Sequence, residues 1–180
     1  GHLLELFKPD EYSPDLKVWS LDTLPIIPTT WKFKVKPKTH DQFDIVSRLI
    51  KTTKCVVVAT DFDREGEAIA RSLLDYCNYK GPVKRLCLRA LDPASIKKAL
   101  ADVKEGHETL PLYQEAMARQ QADWLVGMNF SRLWSIMAQM ANYKETFNVG
   151  RVISPVINLI CERDQEIKNF KPHPYYVLNI

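Results

Sequence analysis

The run Asp61-Phe62-Asp63-Arg64-Glu65-Gly66-Glu67 sets four carboxylates around one arginine. In an extended chain, residues two apart project to the same side, which puts Asp61 with Asp63, and a backbone turn at Gly66 lets Glu65 converge on them. Carboxylates so placed repel one another unless a cation joins them. Mg²⁺ suits such a set, because it is held by one or two carboxylates, several waters and phosphate oxygens, and the implied chemistry is phosphoryl transfer. Residue types alone account equally well for a solvated acidic turn with Arg64 as its neutralising neighbour.

The elements around the run give it a position. Phe43, Val46, Leu49 and Ile50 keep helical spacing, and Cys55-Val56-Val57-Val58-Ala59 is a β-branched run that reads as a strand buried on both faces. Ile69, Leu73 and Leu74 then lie on one helical face up to Cys77, and Lys84 to Leu91 reads as a second strand. The connection is long enough for a parallel crossover, so a parallel sheet with flanking helices is expected, with the acidic run at the carboxyl end of a strand, where open α/β sheets place their ligands. Arg89, at the end of the second strand, is expected to face the acidic turn, either holding a phosphate or pairing with Asp61 or Asp63.

From Asp92-Pro93, a capped helix start, the β pattern stops and the second half reads as all α. A helix from Leu110 to about Met140 carries the stripe Met117, Trp124, Met128 and Trp134, with a break expected near Gly127-Met128-Asn129. Trp124 and Trp134 read as core rather than as base-stacking groups. A last helix starts at Ser154-Pro155 and runs through Ile157, Ile160 and Ile167, and Tyr175 to Ile180 reads as a strand. Before all of this, Pro9 to Pro37 is an irregular, Pro-rich segment packed by its aromatics, and the alternating Lys32, Lys34, Lys36 and Lys38 read as an edge that repels pairing.

Composition narrows the classes. With 180 residues, 46% hydrophobic and 26% charged, the chain builds a real core, and a net charge of +3 permits an acidic partner without demanding one. No apolar run approaches the ~20 residues of a membrane span, so no membrane partner is expected. Cys55, Cys77, Cys87 and Cys161 show no C-x-x-C pair and read as reduced, with Cys55 and Cys87 as core residues; the four histidines are too scattered for a zinc site. A cytoplasmic location follows, nucleoid-associated if the source is bacterial. Gly1-His2-Leu3-Leu4-Glu5 reads as mid-domain sequence, so a longer polypeptide is expected.

Asp61-x-Asp63-Arg64-Glu65-Gly66-Glu67 after an apolar strand resembles the DxDREGE signature of the Toprim domain in type IA DNA topoisomerases. Ala122-Asp123-Trp124-Leu125-Val126-Gly127-Met128-Asn129 is similar to the A-D-W-L-x-G-x-N block of the topoisomerase III branch, and Val149-Gly150-Arg151-Val152 with Ser154-Pro155 resembles its V-G-R-V-Q-[ST]-P. Arg163-Asp164-Gln165-Glu166-Ile167 resembles the R-D-x-E-I that follows, so the likeness spans essentially the whole chain. It implies a Rossmann-like Toprim domain over 1–91 lacking its first strand, a helical DNA-groove domain over 92–170, and the start of an arch from 171 to 180.

The resemblance also implies an activity. Such enzymes cut one DNA strand with a tyrosine, pass a strand through the gap and reseal it without ATP, and so relax or decatenate DNA. Asp61, Asp63 and Glu65 would hold Mg²⁺, with Arg89 as a further catalytic group, and Arg151, Asn148, Gly150, Arg119, Arg132 and Asn129 would contact single-stranded DNA. Arg119 or Arg132 can equally pair with Asp123 as structural glue. Arg151, beside Gly150 and ahead of the expected cap Ser154, can reach a phosphate at the helix entrance. Two departures stand out. None of the seven tyrosines has Arg two residues later, the family's nucleophile context, and Ile153 stands where the family usually has Gln. The partners expected are therefore single-stranded DNA and the rest of the same polypeptide, with other proteins unspecified. A non-catalytic single-stranded-DNA-binding module is the alternative; another Toprim enzyme, a primase or nuclease, would share the acidic turn but not the later blocks.

Overall fold

The computed structural model describes residues 1–178. Strand β3 (Val56–Val58) and strand β4 (Val83–Arg85) pair in parallel, Val56 opposite Val83 and Val58 opposite Arg85, with helix α3 (Arg64–Tyr76) between them in sequence. Helix α2 (His40–Thr52) precedes β3, so the expected strand-helix-strand unit is present. Its core joins Ile50 of α2, Val58 of β3 and Leu74 of α3, with Val46, Val56, Leu73 and Val83 packed around them. Both strands are shorter than their apolar runs. Val57, between Val56 and Val58, is 51% exposed, which corrects the reading of a strand buried on both faces: the alternating pleat gives this small sheet one covered side.

The sheet also continues past Asp92. Helix α4 (Pro93–Ala101) starts as expected, with Asp92 Oδ1 accepting from the N–H groups of Ala94 and Ser95 at 3.1 and 3.0 Å, but it leads into β5 (Lys104–Glu105), which pairs antiparallel with β4. A two-residue strand carries no readable alternation. It is held by its backbone bonds and by Lys84 Nζ 3.7 Å from Glu105 Oε1.

A second sheet joins β1 (Leu4–Leu6) antiparallel to β2 (Phe33–Val35), which lies inside the segment from Pro9 to Pro37 expected to be irregular. Lys34 does not repel pairing there: it lies opposite Glu5 and reaches Glu5 at 3.1 Å and Glu11 at 2.7 Å, a cross-strand charge pair that favours the register. Between these strands run the short helix α1 (Pro9–Tyr12) and brief 3₁₀ turns. The aromatics do pin this segment. Trp31 and Tyr12 meet Trp124 edge-on at 5.5 and 6.1 Å between centroids, and the Trp124 indole N–H donates to the Phe7 carbonyl at 2.8 Å.

Helix α5 (Leu110–Met140) is continuous for 31 residues. The expected break at Gly127 is absent, since one glycine costs a helix interior only about 1 kcal/mol and the long contact with α3 outweighs it. Tyr113 donates to Asp75 Oδ2 at 2.7 Å, and Arg64 meets Glu115 at 2.5 Å, tying the two helices. Trp124 is buried as expected. Trp134 is 52% exposed and not core, because the Pro-rich segment covers the face of α5 that carries Trp124 and Arg132.

Helix α6 (Ile153–Lys168) follows, with Ile157, Ile160 and Ile167 all exposed. Tyr175 to Leu178 form no strand, and the last two residues of that expected strand lie outside the described ones. The cysteines are free, but Cys55 is exposed and Cys87 only partly covered, so neither is the core residue expected: both flank the strands rather than lie within them.

Candidate nucleic-acid cleft

The acidic run is a tight loop leading into the first turn of a helix. Asp63 is the N-cap of α3, its Oδ1 accepting from the Gly66 N–H at 2.7 Å, a role that satisfies one of the free donors of the first turn. Gly66 therefore lies inside the helix and makes no turn. Its missing side chain serves close approach instead: a Cβ there would collide with the carbonyl oxygen of Asp61. Thr60 Oγ1 donates to the Gly66 carbonyl at 2.8 Å and closes the loop.

Beneath the loop lies an arrangement that residue-type reasoning missed. Arg85, at the end of β4, is 0% exposed, and its guanidinium donates to the carbonyls of Val58 (3.1 Å), Thr60 (2.7 Å), Asp61 (2.5 Å) and Leu86 (3.3 Å). Its Nε lies 2.6 Å from Oε1 of Glu67, also 0% exposed, as an ion pair rather than an aligned hydrogen bond. The other Glu67 oxygen accepts from Arg71 Nε at 3.1 Å, and Arg71 donates on to the Gly106 carbonyl. One signal was available: an arginine inside an apolar strand run needs a buried partner.

Two of the three candidate metal ligands share one cleft. Asp63 and Glu65 line a cleft of about 760 Å³ between the α3 N-terminus and α5, and Asp61 is not part of its lining. All three are exposed. Glu65 Oε1 sits 2.6 Å from His2 Nε2, a residue the sequence reading left without a role. Among the described residues no three histidine, cysteine or carboxylate groups converge on one point.

Across the cleft, α5 presents Glu115, Arg119 and Asp123. Asp123 gathers cations: its Oδ1 lies 2.5 Å from Arg151 Nε and its Oδ2 3.9 Å from Arg119 Nε, so both proposed phosphate-binding arginines are brought together at one carboxylate. Both arginines and Asp123 remain well exposed. Ser154 is not the helix cap; it lies in the first turn of α6, its Oγ accepting from the Gly150 N–H at 3.2 Å and its N–H donating to the Gly150 carbonyl at 3.1 Å. Asn148 is exposed just before this turn, and Ile153 opens α6 with half its surface in solvent.

Two expected DNA contacts are used up elsewhere. Arg132 is 5% exposed, donates to the Leu16 carbonyl at 2.8 Å and lies 5.3 Å over the Trp19 ring; burial holds its guanidinium below the usual arginine value. Asn129 spends its amide on Ile26 N–H (2.6 Å), Ile26 carbonyl (3.0 Å) and Leu125 carbonyl (2.9 Å). Both fasten the Pro-rich segment to α5, because a buried polar side chain must find partners where it lies. Arg89 makes neither of the two ion pairs expected as one of its roles. Its guanidinium lies 5.9 Å from the Phe62 ring centroid, in a separate cavity, and it pairs with neither Asp61 nor Asp63.

Comparison with known proteins agrees with this architecture. Residues 1–89 match the family model of the Toprim domain, and residues 107–180 match that described as DNA topoisomerase. The chain is 38% identical to DNA topoisomerase 3 of Vibrio cholerae over 99% of its own length and 28% of the relative's. It is 41% identical to DNA topoisomerase 3 of Staphylococcus epidermidis, covering 100% of this chain and 25% of that one. The chain belongs to the type IA DNA topoisomerases. Its relatives place it with the topoisomerase III branch, and it spans about a quarter of their length. Full-length topoisomerase I of Thermotoga maritima superimposes with a TM-score of 0.64 at 25% identity, over 96% of this chain and 27% of that one, so the Toprim-plus-helical fold is common to both. No helix among the described residues is long and apolar enough to cross a membrane.

Proposed function

We propose that this chain supplies metal-binding carboxylates and single-stranded DNA contacts to a type IA topoisomerase that relaxes or decatenates DNA by transient Mg²⁺-dependent cleavage of one strand, strand passage and religation without ATP. The observation that carries this reading is the shared cleft. Asp63 and Glu65 face Arg119 and Asp123 across one opening, and Arg151 joins them through Asp123, so a phosphodiester held by the arginines would lie beside the carboxylates.

The donor set fits Mg²⁺. Asp61 and Asp63 are exposed hard-oxygen ligands with no cationic partner among the described residues, and Mg²⁺ needs only one or two carboxylates beside its waters. When bound, the ion would offset charge on phosphate oxygens. The chain's own residues do the positioning. Arg85 and Glu67 hold the backbone of the acidic loop, His2 holds Glu65, and Arg119 and Arg151 provide the cations that a strand backbone meets. Residues 1–91 form the Toprim portion in this reading, 92–170 the helical groove portion and 171–180 the approach to the arch.

Two experiments test it. In a full-length parent, Asp61→Asn with Asp63→Asn should abolish metal-dependent relaxation and religation; unchanged activity would sink the metal assignment. The chain by itself, incubated with end-labelled single-stranded DNA and Mg²⁺ and then denatured, should form no covalent adduct, since none of its tyrosines has the family's nucleophile context.

A further inference from the structure

Arg89 lines a cavity outside the cleft, and that cavity has a chemistry of its own. We infer that this second cavity, of about 370 Å³, is an anion subsite for a phosphate ester, separate from the cleft between α3 and α5. Arg89, Lys98 and Lys104 line it with Ser95, Phe62 and Cys87, against one lining carboxylate, Asp102; the Ser95 side chain also bonds the Asp92 carboxylate at the start of α4. The size is at the low end for small-ligand pockets, enough for a phosphate with its attached sugar.

The cations are unevenly committed. Lys104 reaches Glu108 only at 3.9 Å, and neither Arg89 nor Lys98 has a carboxylate within ion-pair distance among the described residues. Arg89 is unspent. Its guanidinium carbon lies 5.9 Å from the Phe62 ring centroid, and among the described residues none of its N–H groups donates to a protein acceptor, so its donors are free for an oxyanion. Ser95 and Lys98 are three apart on α4 and so present hydroxyl and ammonium on one face. Three cations against one carboxylate favour an anion over a neutral or cationic ligand.

Phe62 gives the subsite its place. Its ring lines this cavity, while its neighbour Asp63 lines the cleft, so the acidic loop is the wall between the two. A strand crossing that wall would set one phosphate beside Arg119 and another beside Arg89. The same oxyanion chemistry also fits a free phosphate ester.

The test uses the 180-residue chain and inorganic pyrophosphate as probe, so that it does not depend on DNA binding. Amide chemical shifts of Phe62, Arg89, Ser95, Lys98 and Lys104 should move saturably, and Arg89→Ala should weaken binding about tenfold, the loss of one charge-assisted contact. Lys98→Glu should abolish it, with an unchanged melting temperature as the control for folding. If oligothymidylate displaces pyrophosphate, and Arg89→Ala with Lys98→Ala lowers the salt slope of DNA binding by roughly 1.4, the anion is a strand phosphate. If pyrophosphate binds but oligothymidylate does not displace it, the subsite serves a free phosphate ester. No shifts at these residues, or shifts unaffected by Arg89→Ala, would overturn the inference; DNA binding lost with Arg151→Ala alone would leave the cleft reading intact.

Discussion

Arg85 on β4 and Glu67 on α3 meet at 2.6 Å with neither side chain exposed, and the same arginine gathers the carbonyls of Val58, Thr60 and Asp61. The acidic loop is thus clasped from below by one guanidinium. Its carboxylates can face solvent because its carbonyls face protein.

Breaking that pair on one side leaves a buried charge without its partner. Glu67→Ala or Arg85→Ala should each cost about 3–5 kcal/mol, whereas replacing both by methionine should cost much less than the two changes summed. Urea unfolding of the three variants measures this, and additive losses would show that the two residues do not act as a pair.

Asp63 has a capping role and a proposed metal role, and substitutions can separate them. Asp63→Ala removes the acceptor for the Gly66 N–H and should cost about 1 kcal/mol, while Asp63→Asn keeps the cap and should leave stability within a few tenths. In a full-length parent both should lose metal-dependent activity. If Asp63→Asn retains it, Asp63 is a cap only.

Asp123 holds Arg151 and Arg119 in the absence of DNA. Arg151→Ala should weaken single-strand binding alike for all sequences and reduce the salt slope by roughly 0.7. Asp123→Asn should tighten binding by about two- to fivefold, the worth of an exposed ion pair released to phosphate. Ile153→Gln should add a modest gain. Fluorescence anisotropy across a salt series reads all three, and an Arg151→Ala protein with unchanged slope would place the strand elsewhere.

Tyr113 gives an alkaline limit to the α3–α5 contact. Burial first, then its hydrogen bond to Asp75 and that carboxylate's charge, push its phenol well above the ordinary tyrosine value of 10.0. The folded state therefore keeps a proton that the unfolded chain releases, so this contribution is whole below about pH 10 and declines as pH rises toward the raised folded value. Tyr113→Phe should lower stability at neutral pH by about 1 kcal/mol and flatten the decline above pH 10. Parallel pH profiles for the two proteins would contradict this.

The order of elements and the place of the acidic loop were legible in the residues. A β-branched run, an acidic loop and a helical stripe are local patterns, set by the backbone periods of 2 and 3.6, and the Toprim and groove blocks are contiguous. The strand lengths were not, because pairing ends where a partner ends: β4 stops at Arg85 although its apolar run goes on, and β1, β2 and β5 are too short to show a period. Partner choice was least legible. Arg132 and Arg151 look alike in sequence, yet one is buried against Leu16 and Trp19 and the other stands open beside Asp123. Glu67 looks like Glu65, yet one is sealed under Arg85 and the other meets His2 at the cleft. A charged side chain's role depends on its solvation and on which opposite charge lies within a few ångströms. Those distances join residues far apart in the chain, so only the packing of α3, α5 and the Pro-rich segment decided them.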